Sequence, residues 1–98
     1  MVLGLEERVL TGIREVLSRH PDVTGAVVYG SRAKGTERAA SDIDIALEGI
    51  GQPLRAEAVA SELEELPYPY KFDVRALSAI RSPALLDHIE RVGVRIYG

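Results

Sequence analysis

Gly30-Ser31-Arg32-Ala33-Lys34-Gly35, followed by Ser41-Asp42-Ile43-Asp44-Ile45-Ala46-Leu47, is the stretch that decides how this chain folds. The glycines bracket a serine and basic residues, directly after the apolar run Ala26-Val27-Val28-Tyr29. Such a run ending in glycine reads as a strand leaving into a phosphate-holding turn. Glycine permits backbone conformations that a side chain forbids, and it lets a ligand approach closely. The turn is expected to open into a short helix, whose first N–H groups favour anions. Asp42 to Leu47 alternates polar or small residues with apolar ones, the pattern of a half-buried strand. On a strand, residues i and i+2 share a face. Asp42 and Asp44 then stand side by side, while Ile43, Ile45 and Leu47 enter the core. Carboxylates that close repel each other and tend to share a proton. A divalent cation removes the conflict, and Mg²⁺ is commonly held by one or two carboxylates plus substrate phosphates. The stretch is the minimum kit for metal-assisted chemistry on a nucleotide.

Other glycine motifs fail at particular positions. A Walker A loop needs Gly-Lys-Ser/Thr at its end, but Gly35 is followed by Thr36 and Glu37. A dinucleotide fingerprint needs G-x-G-x-x-G, but position 32 is Arg.

Upstream, Leu5, Val9, Ile13, Val16 and Leu17 recur at helical spacing, so a helix is expected from Leu3 to Arg19. His20-Pro21-Asp22 ends it, since the residue before proline disfavours the helical region. Val23 to Tyr29 is the first strand. Downstream, Gly49-Ile50-Gly51-Gln52-Pro53 is a loop. Leu54 to Leu66 is a helix with Ala56, Val59, Leu63 and Leu66 on one face. Its Glu62, Glu64 and Glu65 read as a solvated surface. Lys71 to Leu77 is a strand with Phe72 and Val74 inward and Asp73 and Arg75 outward. Ser82 is a good helix cap with Pro83 at the first helical position, so another helix runs to Val92. Gly93 closes it, and Val94 to Tyr97 is a last short strand. Tyr68, Tyr70 and Tyr97 read as core-edge residues, and Tyr97 is also a candidate contact to a second copy or a partner. His20 and His88 have no metal-ligand spacing and read as helix-end or surface residues.

This order makes the fold class α/β or α+β: one small mixed sheet with helices mainly on one face. The uncovered face is expected to hold the aspartates. The 98 residues support a single domain, 1–98, with one modest core. No cysteine is present, which excludes disulfides and thiolate metal sites. No apolar run approaches a membrane span and no signal peptide is visible, so a cytoplasmic location is the default. The net charge of −3, with scattered Lys and Arg, argues against general nucleic-acid binding.

Gly30-Ser31, Gly35, Asp42 and Asp44 together resemble the glycine-serine … Asp-x-Asp signature of the polymerase-β-like nucleotidyltransferases. From about Val27 to Tyr97 the chain is similar to the minimal nucleotidyltransferases, small prokaryotic members of that superfamily. The resemblance implies the polymerase-β-like fold and a third carboxylate, for which Asp73 is the candidate; the plainer reading of Asp73 is a surface pair with Arg75. It implies two Mg²⁺ ions held by Asp42, Asp44 and Asp73, the catalytic residues. Gly30 and Ser31 would hold the β- and γ-phosphates through backbone N–H and hydroxyl. Arg32 and Lys34 are candidates for phosphate contact or for plain surface charge. The implied reaction transfers a nucleoside monophosphate, AMP from ATP, to an acceptor hydroxyl. The implied acceptor is a small helical HEPN toxin, which makes this chain an antitoxin. Two other readings stay open: a non-catalytic binding module that neutralises a partner, and a transferase acting on a small molecule.

Overall fold

The computed structural model describes residues 3–35 and 42–98. The polar loop expected up to Ser41 lies, from Thr36 onward, outside the described residues. In chain order the elements are α1 (Glu7–Ser18), β1 (Gly25–Tyr29), α2 (Ser31–Lys34), β2 (Ile43–Glu48), α3 (Pro53–Glu64), β3 (Phe72–Ala76), α4 (Pro83–Val92) and β4 (Val94–Tyr97). A single 3₁₀ turn at Leu77–Ala79 joins β3 to α4 and carries no sequence signal of the kind used above.

The sheet has the order β3-β2-β1-β4. β1 pairs antiparallel with β2 and with β4, while β2 and β3 run parallel. A parallel pair needs a crossover, and α3 lies in it. Val9, Leu10, Ile13, Val16 and Leu17 form the buried stripe of α1, and Ala56, Val59 and Leu63 that of α3. They close over Ala26, Val28, Ile43, Ile45 and Leu47 to make the main core. Tyr68, Tyr70 and Tyr97 pack at its margin, as expected.

The opposite face is not bare. α4 packs there through Ile89, with Leu85, against Val27, Tyr29 and Ala46 in a second, smaller cluster. The aspartates therefore lie beside a helix rather than on an open sheet. Ser82 caps α4 as expected, its Oγ accepting from the Leu85 N–H at 3.3 Å. Gly93 closes it, as expected. Its backbone is extended, with φ −60°, and a Cβ there would meet the Ile89 carbonyl and the Val27 side chain. Glycine is needed for close approach of α4 to β1, not for a left-handed turn.

α1 begins later than the apolar spacing implies. Leu3 (φ 58°) and Gly4 (φ 69°) are both left-handed, so the chain turns before it can propagate a helix. His20 is buried rather than exposed. Its Nδ1 lies 3.0 Å from Arg55 Nη2, and its Nε2 lies 2.5 Å from Glu62 Oε2. Arg55 also grips both oxygens of Asp22, at 2.7 and 3.0 Å, and that hydrogen-bonded pairing lowers the Asp22 carboxyl below its usual range. Arginine can only donate, so Nδ1 accepts and Nε2 faces Glu62. Glu62 thus ties α3 to the end of α1, and Glu64 Oε1 accepts from the Phe72 N–H at 3.0 Å. Neither is a merely solvated charge.

Candidate active site

β1 and β2 are in register with Tyr29 opposite Asp44, and β2 and β3 with Asp44 opposite Asp73. Partners directly across a ladder lie about 5 Å apart and project to one face. The strands therefore set Asp44 beside Asp73. Asp42 is exposed, just ahead of β2. Burial first, then the negative charges of Asp73 and Asp42, raises the Asp44 carboxyl above its usual range, against the field of Arg75. The carboxylates expected from the sequence are thus brought within electrostatic reach of one another. Arg75 Nη2 lies 3.5 Å from Asp73 Oδ2, with both side chains about half exposed. Such a pair is worth little and is easily opened.

Gly30 stands at the end of β1 with φ 78°, a conformation that favours glycine. A Cβ on Gly30 would fall onto the Asp44 carboxylate. The turn and the aspartate strand are therefore in contact through this one position. The Gly30 N–H donates to Nε2 of His88, on α4, at 3.0 Å. The N–H that the sequence reading gives to phosphate thus has a side-chain acceptor in this structure. Ser31 opens α2, Lys34 is exposed at its end, and Gly35 (φ 76°) closes it left-handed.

Arg32 turns the other way. It is buried, Nη1 donates to the Leu3 carbonyl at 3.1 Å, and the guanidinium lies 5.0 Å from the Tyr70 ring centroid. These contacts anchor the turn to the body of the protein. Burial of the stem and the stacked cation stabilises this position. His88 is the residue that spacing alone missed. Besides holding Gly30, its ring meets Tyr29 edge-on, at 6.3 Å between centroids. Its partner lies 58 residues away, so no local pattern could announce it.

Among the described residues, no three His, Asp or Glu side chains form a ready-made metal cage. The donors are all oxygen, the kind a hard cation takes, with Asp44 held against the charges of Asp73 and Asp42. Mg²⁺ in phosphoryl-transfer sites takes part of its shell from the substrate.

A family model described as "Polymerase beta, Nucleotidyltransferase" matches residues 11–98, and the chain belongs to that family. A chain of a toxin–antitoxin crystal structure with AMP-PNP superposes with a TM-score of 0.75 at 23% identity, over 91% of this chain and 73% of that one. A chain of the complex of a tri-AMPylated Shewanella oneidensis HEPN toxin with its MNT antitoxin gives 0.72 at 18% identity, over 96% and 73%. A candidate nucleotidyltransferase from Sulfolobus solfataricus gives 0.54 at 21% identity, over 90% and 78%. These likenesses establish the shared fold. No curated protein matches the chain by sequence.

Proposed function

We propose that this protein transfers AMP from ATP to a hydroxyl group of a small helical partner of the HEPN type, and so acts as an antitoxin. The observation that carries the reading is the register pairing of Asp44 with Asp73 beside Gly30. Binding alone does not require carboxylates held in mutual repulsion. Membership of the nucleotidyltransferase family supports the reaction class. The structural neighbours support the nucleotide and the partner, since theirs include AMP-PNP and an AMPylated HEPN toxin.

Asp42, Asp44 and Asp73 would hold Mg²⁺ together with triphosphate oxygens. That ion supplies charge neutralisation at the α-phosphate and the leaving pyrophosphate. Ser31 and Lys34 would contact the terminal phosphates from the turn. The acceptor oxygen attacks the α-phosphorus, the bond from that phosphorus to the α–β bridging oxygen breaks, and pyrophosphate leaves. Asp73, on the edge strand, is the residue positioned to take the acceptor's proton. α4 closes one side of this face, and a docked partner closes the rest.

Intact mass measurement tests the proposal. The purified protein, its co-encoded small helical partner, ATP and Mg²⁺ should give a partner heavier by one or more AMP units. Asp42→Asn and Asp73→Asn should each lose the gain. A tight complex with no mass gain would favour the non-catalytic binding module. Neither complex nor gain would turn the search to small-molecule acceptors.

A further inference from the structure

α4 reaches the turn through one polar contact. The Gly30 N–H donates to His88 Nε2 at 3.0 Å, in a part-buried setting. A ring nitrogen that accepts carries no proton, so the imidazole proton sits on Nδ1. The edge contact with Tyr29 holds the ring plane. Ile89, the next residue, is buried in the cluster beneath α4, so the backbone bearing His88 is seated on the sheet. Gly30 in turn has a left-handed φ, and its Cα lies where any Cβ would strike the Asp44 carboxylate. The chain His88–Gly30–Asp44 is therefore continuous, from a helix that bears no carboxylate of the site to the carboxylate at its centre.

We infer that His88 is a positioning residue for nucleotide binding. It fixes the Gly30 peptide, and thereby both the direction in which Ser31 leaves β1 and the wall against which Asp44 rests. It touches no substrate. The inference rests on the nucleotidyl-transfer reading and deepens it. Without an acceptor at position 88, the Gly30 N–H loses this partner, and Ser31 and Asp44 no longer present one arrangement to a metal–nucleotide complex.

Side-chain geometry offers a discriminating set of variants. The amide oxygen of Gln reaches roughly where Nε2 lies, whereas that of Asn falls near Nδ1. Affinity for Mg²⁺ with AMP-PNP is measured by calorimetry, with melting temperature and Gly30 amide exchange followed in parallel. His88→Ala and His88→Asn should weaken binding about tenfold, the scale of one hydrogen bond. His88→Gln should stay within about threefold of the wild type on the same scale. Gly30 exchange should quicken with Ala and Asn but not with Gln. Asp87→Ala, an exposed neighbour on α4 paired with Arg91 at 2.8 Å, should change neither readout. The Gln and Asn variants carry comparable losses of ring packing, so a purely structural role would weaken them alike. Equal weakening of the two, or wild-type binding in all three, overturns the inference while leaving the function standing. Failure of the wild type itself to bind Mg²⁺ with AMP-PNP sinks the function, and the role of His88 with it.

Discussion

Gly30→Ala should all but abolish joint binding of Mg²⁺ and nucleotide, while Gly35→Ala should leave it nearly intact. Both glycines are left-handed, with φ 78° and 76°. Alanine at either therefore carries similar backbone strain, roughly 1–3 kcal/mol. The surroundings differ. Among the described residues, no atom lies within 4 Å of a Cβ built on Gly35, whereas one built on Gly30 lands on the Asp44 carboxylate. The methyl must displace either the turn or the aspartate, and each is part of the proposed site. Ser31→Ala should be intermediate, since on the proposed reading it removes one bond to a charged phosphate, about 1.5–3 kcal/mol. Calorimetric titration with AMP-PNP and Mg²⁺ ranks the three. Equal affinities for Gly30→Ala and Gly35→Ala would remove the turn from the site.

Asp44→Asn should do two opposite things. AMP transfer should fall by about 10²–10³-fold or more, the scale of losing one charge-stabilising group in a phosphoryl-transfer site. The metal-free protein should become more stable at neutral pH. Burial and the neighbouring carboxylates raise the folded-state carboxyl of Asp44 above its unfolded value. The native state therefore holds that proton to higher pH than the unfolded chain does. Stability from this group is present at low pH, and it is lost as pH rises from the usual aspartate range through the raised folded value. The amide has nothing to ionise and escapes that loss. Urea unfolding in chelator across this window checks the sign. A variant less stable than wild type at pH 7 and unchanged at acid pH would contradict the repulsion at Asp44.

Local chemistry made most of the scaffold legible. Periodicity found α1, α3 and the strands, and Ser82-Pro83 announced α4. The alternation at Asp42–Leu47 and Phe72–Val74 placed the carboxylates on one face, because strand geometry has only two faces to choose from. What the sequence hid depends on partners far along the chain. Arg32 turns inward because the Leu3 carbonyl and the Tyr70 ring await it, and a four-residue helix has too few turns to reveal which side is buried. His20 found Glu62 and Arg55 across the α1–α3 junction, and His88 found Gly30. Gly93 closes α4 as the sequence announces, but what demands glycine there is the nearness of β1, which also lies far along the chain.

The mixed pairing of the sheet also gives the site a history. β1 and β2 are consecutive antiparallel strands, so Tyr29 and Asp44 can meet early through a short closure. Asp73 pairs with Asp44 only after the whole α3 crossover has closed and β3 has joined as the edge strand. Non-local parallel pairing is intrinsically slow, because its closure entropy must be spent before any contact rewards it. We expect the turn and the first carboxylates to assemble in a hairpin nucleus, and the third to be added late in folding. Pulse-labelled hydrogen exchange during refolding would show Val27 and Ala46 amides, which face each other across β1 and β2, protected before that of Arg75, which faces β2 from β3. Simultaneous protection of all three would mean that the crossover belongs to the nucleus. On the first ordering, a chain still emerging during synthesis carries the glycine turn and an unfinished carboxylate set, and the proposed site is whole only when its far edge arrives.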